Sequence, residues 1–206
     1  MSGGPKARVA VLLSGRGSNC EALARAMAAG EVPAEIVLVF SNRPEAPGLE
    51  IARRMGLAVA AIAGAGRERA EYDRLVVAEL QRRGAEWVCL AGYMRLLSGV
   101  FLSAFPGRIL NIHPSLLPAF PGLEAQRQAL EYGVKFAGCT VHWVDETVDG
   151  GPILAQAVVP VRDDDDEAAL AARILEQEHR LYPEALRLAL SGAWRFDRRR
   201  VVGPRG

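Results

Sequence analysis

The sequence is short of cysteine, nearly devoid of lysine and without a long apolar run, and each shortage removes a class of explanation. Its three cysteines, Cys20, Cys89 and Cys139, are odd in number, far apart and never in CxxC spacing. Neither a disulfide framework nor a structural zinc site is indicated, and a reducing cytoplasm is the expected compartment. Lys6 and Lys135 are the only lysines, so the basic residues are almost all arginine. With alanine abundant as well, this reads as coding bias, and at a formal charge of +1 the arginines are not taken as a nucleic-acid surface. The opening apolar run, Val9 to Leu13, is too short for a signal peptide or a membrane span, and a glycine-rich turn follows it at once. A soluble protein with neither nucleic-acid nor membrane partners is expected.

What the sequence does have is 206 residues, half of them apolar, enough to bury one full core; a single domain over residues 1–206 is expected. Val9-Ala10-Val11-Leu12-Leu13 reads as a buried strand, Ser14 to Asn19 as a turn, and Cys20 to about Ala29 as an amphipathic helix. The unit recurs, with a strand at Ile36 to Phe40, a helix near Leu49 to Met55 and an apolar run from Leu57 to Ile62. A helix over Arg69 to Arg83 and a strand at Trp87 to Leu90 follow. This rhythm predicts an α/β fold, a mostly parallel twisted sheet flanked by helices. Gly138 to Val144 and Pro152 to Val161 break it, because two β-branched runs joined by a turn-rich loop predict an antiparallel pair near residues 138–161. Asp163 to Asp166 suit the N-cap and first turn of a helix running through Leu181, rather than a metal site. Pro183 is expected to restart that helix, which then continues to about Leu190. Ala193 to Gly206 reads as a short strand with a frayed tail.

The chemistry centres on Asn111-Ile112-His113-Pro114-Ser115-Leu116-Leu117-Pro118, which follows a buried fifth strand. Residues two apart share a strand face, so Asn111 and His113 project together from the strand's carboxyl end, where open α/β sheets place ligand crevices. An amide donor beside an imidazole suits a reaction that builds negative charge on oxygen while protons move between nitrogens. A histidine that merely caps a strand end satisfies the same pattern. Asp149-Gly150-Gly151-Pro152 supplies a carboxylate on backbone able to approach another loop closely, and if the antiparallel pair lies beside the fifth strand, Asp149 reaches His113. The bland alternative for Asp149 is an Asx turn.

Ser14-Gly15-Arg16-Gly17-Ser18-Asn19 would aim backbone N–H groups and a hydroxyl at an anion, most naturally a phosphate. Cys20 stands where a dinucleotide fingerprint needs its third glycine, and Phe40-Ser41-Asn42-Arg43 offers no acid after the second strand, so a monophosphate is favoured over NAD. The same residues would also serve an ordinary N-capped turn. Ala91-Gly92-Tyr93-Met94-Arg95-Leu96-Leu97 is apolar without a clear period; it suits a wall for a flat heterocycle, but its default reading is core.

SGRGSN, LAGYMRLL, NIHPSLLP, VDGGP and QEHRLYP, in this order over nearly the whole chain, resemble the folate-dependent formyltransferase family, and within it the glycinamide ribonucleotide transformylases of purine synthesis. The resemblance implies a Rossmann-like formyltransferase fold, with a phosphate-binding half at about 8–105, a folate and catalytic half at about 106–192 and a tail at about 193–206. It implies transfer of a formyl group from 10-formyltetrahydrofolate to the amine of glycinamide ribonucleotide, with no metal. It implies that Gly17, Ser18, Asn19 and Glu178 bind the ribonucleotide, and that Arg69, Met94, Arg95, Leu96, Leu97 and Asn111 line the folate side. Asn111, His113 and Asp149 form the implied catalytic set. Small molecules are the implied partners, for a monomer or homodimer. Where relatives often carry histidine, Glu124-Ala125-Gln126 stands here, so no substrate contact is carried over to that loop. His142 is expected in the core or in a neutral supporting contact, and His179 in a structural role.

Two rivals are weighed. A hydrolase releasing formate from the same folate would use the same trio, but is expected to carry a preceding regulatory domain, for which a first strand at about Arg8 leaves no room. A non-catalytic nucleotide-binding module would need only the glycine turn, not a proton-handling pair.

Overall fold

A computed structural model describes residues 5–203. The chain divides into two compact units, Met1–Leu110 and Asn111–Gly206.

The first unit carries β1 (Ala7–Leu13), α1 (Ser18–Ala28), β2 (Ala34–Ser41), α2 (Pro47–Arg54), β3 (Val59–Ala61), α3 (Arg69–Arg82), β4 (Trp87–Leu90) and α4 (Gly99–Ala104). β1 pairs in parallel with both β2 and β4, and β2 pairs in parallel with β3. Val9 to Leu13 are all fully buried, which is why β1 is an unbroken apolar run rather than an alternating one. α1 begins at Ser18, two residues before the expected start, so Ser18 and Asn19 form its first turn. α4 was not anticipated; at six residues it is too short to show a helical period, and Phe101 anchors it by full burial.

β5 (Ile109–His113) contains the division between the units. The second unit continues with α5 (Ala125–Tyr132), β6 (Phe136–Trp143), β7 (Ile153–Pro160), α6 (Glu167–Ser191), β8 (Arg195–Asp197) and β9 (Arg200–Val202). β6 and β7 are the expected antiparallel pair, with a register shift between Val141 and His142. The strand order is β3-β2-β1-β4-β5-β6-β7, a mostly parallel seven-stranded sheet, with β8 and β9 as a separate two-stranded ribbon. The tail is therefore a hairpin where one short strand was expected.

α6 corrects a second expectation, since Pro183 lies inside one continuous helix instead of restarting it. A proline in a helix interior costs about 3 kcal/mol. Leu170, Tyr182 and Leu186 are fully buried on α6, and each such side chain contributes roughly 1.5–3 kcal/mol, so packing outweighs the lost hydrogen bond. Asp166 caps the helix, its side chain accepting from the Ala169 N–H at 2.7 Å. Asp165 receives a bidentate pair from Arg173 at 2.6 and 2.7 Å. No helix among the described residues is long and apolar enough to cross a membrane.

Candidate active site

The second unit gathers a cluster of polar groups where β5 ends. Asn111 is half-buried and His113 buried, and the i, i+2 spacing holds because β5 stays extended through Ile112. Asp149 arrives from the turn after β6, where Gly150 donates to the Thr147 carbonyl at 3.1 Å. Its backbone is left-handed, φ 49°, a conformation that costs an L residue energy and persists only where its surroundings hold it. Gly151 permits the approach, because a Cβ there would fall 1.8 Å from the Trp143 carbonyl oxygen.

Asp149 Oδ2 lies 3.3 Å from His113 Nδ1 and accepts from the Gly122 N–H at 2.8 Å. Its Oδ1 accepts from Asn111 Nδ2 at 3.4 Å and lies 3.7 Å from His142 Nε2. Burial pushes this carboxyl upward, but the His142 ring, the Gly122 N–H and the His113 ring together hold its pKa below the ordinary aspartate value. It stays ionised at neutral pH. His113 Nε2 lies 2.9 Å from the Phe120 carbonyl oxygen, which only accepts, so both ring nitrogens face acceptors, as suits a ring that donates at both ends.

His142 belongs to the cluster. Its Nδ1 faces the Trp143 carbonyl at 2.8 Å, and its Nε2 faces both the Asn111 amide nitrogen at 3.1 Å and Asp149 Oδ1 at 3.7 Å. It is a buried supporting contact beside the trio, touching Asn111 and Asp149. The bulge between Val141 and His142 re-aims the ring, which strand alternation alone does not reveal.

Two residues that sequence reasoning passed over hold the proline loop beneath this cluster. The Thr140 hydroxyl, fully buried, donates to the Ser115 carbonyl at 2.7 Å and accepts from the Leu117 N–H at 3.1 Å. Gln156 Nε2 donates to the Leu117 carbonyl at 2.9 Å. Their signal in the sequence is slight, a Thr and a Gln on strands that are mostly apolar.

Glu178 is buried on α6, and its charge reaches Cys139. Burial and then Glu178 push the Cys139 thiol up to about 12; burial and then Glu21 do the same to Cys20. Neither is a nucleophile near neutral pH. All three cysteines are buried, and no disulfide joins them.

The remaining expected site residues lie in the first unit. Gly17 is the left-handed N-cap of α1, φ 79°, with no side-chain cap on the helix. A Cβ on Gly17 would stand 2.7 Å from Gly48 Cα, and Gly48 N donates to the Gly15 carbonyl at 3.0 Å, so backbone rests on backbone here. Packing explains these glycines, while the first-turn N–H groups of α1 remain suited to an anion. Ser18 is half-buried and Asn19 buried. Met94 and Leu96 are 54% and 51% exposed, so the default reading of their segment as core does not hold for them. The Ser14 hydroxyl holds that segment, accepting from the Met94 N–H at 2.7 Å and donating to Asn42 Oδ1 at 2.5 Å. Arg95 sits 4.3 Å from the Tyr72 ring centroid and donates to the Gly64 carbonyl at 2.7 Å, while Leu97 is half-buried and Arg69 is exposed at the start of α3. Among the described residues, no group of three or more His, Cys, Asp or Glu is placed to hold a metal ion.

Residues 7–186 match the family model described as formyl transferase. Phosphoribosylglycinamide formyltransferase of Escherichia coli (strain K12) is 46% identical over 85% of this chain and 83% of its own length. The trifunctional purine biosynthetic protein adenosine-3 of Drosophila pseudoobscura pseudoobscura is 50% identical over 93% of this chain. The chain spans less than a fifth of the length of such trifunctional relatives. The crystal structure of glycinamide ribonucleotide transformylase 1 from Symbiobacterium toebii superposes with a TM-score of 0.95 at 51% identity, covering 98% of this chain and 96% of that one.

Proposed function

Since the chain belongs to the formyl transferase family, we propose that it transfers a formyl group from 10-formyltetrahydrofolate to the amine of glycinamide ribonucleotide, giving the N-formyl nucleotide and tetrahydrofolate. The single observation that carries the chemistry is the convergence of Asn111, His113 and Asp149 within hydrogen-bond or ion-pair reach of one another. In this reading the substrate amine attacks the formyl carbon and a tetrahedral species forms. The bond from that carbon to the folate nitrogen then breaks, the departing nitrogen gains a proton and the attacking nitrogen loses one.

Negative charge develops on the former carbonyl oxygen. Asn111 and His113 are the donors for it. Of the two bonds Asn111 Nδ2 makes here, that to Asp149 at 3.4 Å is the weaker and the one to exchange for substrate; His142, at 3.1 Å, keeps the amide oriented. His113 Nε2–H, held here by the Phe120 carbonyl, is the proton to share with the oxyanion and deliver to the leaving nitrogen. Asp149, ionised, sustains the charged ring through Nδ1 and helps relay the proton that the amine sheds.

Gly17, Ser18 and Asn19 serve as the phosphate holder and Glu178 as the ribose partner. Arg69, Met94, Arg95, Leu96 and Leu97 line the folate side, the exposed Met94 and Leu96 offering apolar surface to a flat ring. Both reactants are small molecules, no step calls for a metal, and three buried cysteines that form no disulfide suit a reducing cytoplasm.

Incubation with glycinamide ribonucleotide and 10-formyltetrahydrofolate tests the reading. Formylated nucleotide is expected; free formate without it would mean a hydrolase, and nucleotide binding without turnover a non-catalytic module.

A further inference from the structure

The C-terminal hairpin lies beyond the span that the family model matches, yet its guanidinium reaches the turn that carries Asp149. Arg199, between β8 and β9, donates through Nη2 to the carbonyl oxygen of Gly150, the residue next to Asp149. The hairpin is itself anchored to the strand that leads into that turn. Trp194 and Phe196 pack on Trp143, with ring centroids 4.4 and 5.2 Å away, and on each other at 5.0 Å. Trp194 Nε1 donates to the Ala189 carbonyl at 2.8 Å, tying the same cluster to the last turns of α6.

We infer that Arg199 is a positioning residue for Asp149, acting through the Gly150 carbonyl. The turn needs such a hold. Asp149 is left-handed; the Gly150 N–H to Thr147 bond restrains its backbone on one side, while Gly122, Asn111 and His113 hold its carboxylate. Thr147 N–H to Asp145 Oδ1, at 2.8 Å, orders the turn's start but not its end. A donor on the Gly150 carbonyl fixes the Gly150–Gly151 peptide, one unit beyond the Asp149–Gly150 peptide that the Thr147 carbonyl already holds through the Gly150 N–H. With both peptides of Gly150 held, this glycine cannot swivel, and the Asp149 backbone stays where its carboxylate meets His113. Arg199 touches neither substrate nor reacting atoms; its effect is on how often the carboxylate stands in place.

The inference rests on the catalytic role proposed for Asp149, and its test has an arm that does not. In the full chain, Arg199→Ala is compared with Arg199→Lys, which keeps a cationic donor. Arg199 is exposed, so neither change opens a cavity. Amide hydrogen exchange over residues 147–151 is expected to speed up in Arg199→Ala. Its kcat is expected to fall about threefold to tenfold, the scale of one lost hydrogen bond, while KM for the ribonucleotide stays put. Arg199→Lys should recover most of both. Unchanged exchange in Arg199→Ala overturns the inference, and so does faster exchange with unchanged turnover. If the unaltered protein transfers no formyl group, the proposed function fails while exchange still decides whether Arg199 holds the turn.

Discussion

Asp149 meets His113 at 3.3 Å from a backbone that an aspartate adopts only under constraint, and the constraint is visible in the atoms that hold it. The Gly122 N–H grips one carboxylate oxygen and Asn111 the other. The loop bearing Gly122 is in turn fixed by Thr140 and Gln156, so the geometry of the Asn111, His113 and Asp149 cluster depends on a buried hydroxyl with no chemistry of its own.

Thr140→Val should therefore lower stability and turnover together. Valine keeps the volume but leaves the Ser115 carbonyl and the Leu117 N–H without their buried partner, which costs on the order of 1–3 kcal/mol. Chemical denaturation measures the loss; a midpoint equal to that of the unaltered protein would show that the hydroxyl does not hold the loop.

Gly17→Ala should separate stability from ribonucleotide recognition. The new Cβ meets Gly48 Cα at 2.7 Å on a left-handed residue, so the turn must shift. If its N–H groups hold the phosphate, KM for the ribonucleotide rises by about tenfold or more, with KM for the folate much less affected. Equal rises in both would point to general loosening instead.

At acid pH, the Asp165 and Arg173 pair should mark part of the stability profile. The two hydrogen bonds from Arg173 and the N–H of Arg162 hold the Asp165 carboxyl down at about 2 in the folded protein. An unfolded chain takes up that proton first, so the pair's contribution is complete above the ordinary aspartate range and is lost as pH falls toward 2. Asp165→Asn should accordingly show a shallower loss of stability between pH 4 and pH 2. A slope identical to that of the unaltered protein would contradict this.

Native-state alkylation should be slow at every cysteine. With Cys20 and Cys139 pushed up to about 12 and all three thiols buried, about one molecule in ten thousand carries either thiolate at pH 8. Iodoacetamide at that pH is expected to leave activity intact while modifying the unfolded chain readily; rapid inactivation would place a reactive thiol at the site.

Much of this was legible in the sequence because local rules dominate where it mattered. Asn111 and His113 could be read from strand alternation, and Asp149 from two glycines that only a close approach demands. His142 could not be placed, since nearly every residue of β6 is buried on both faces and the bulge after Val141 resets the alternation. Pro183 misled because local propensity favours a break, whereas burial of Tyr182 and Leu186 decides otherwise. The hairpin with Trp194 and Arg199 was invisible for a different reason. Its order comes from contacts with Trp143 and Gly150, far away in sequence, and no local pattern announces them.

The most direct test is steady-state kinetics of Asp149→Asn with both substrates. Asparagine keeps the shape of aspartate but removes the negative charge beside His113, so kcat should fall on the order of a hundredfold or more while both KM values change only a few-fold. Turnover equal to that of the unaltered protein would contradict the account, because the imidazole would then be working without the carboxylate that the fold brings to it.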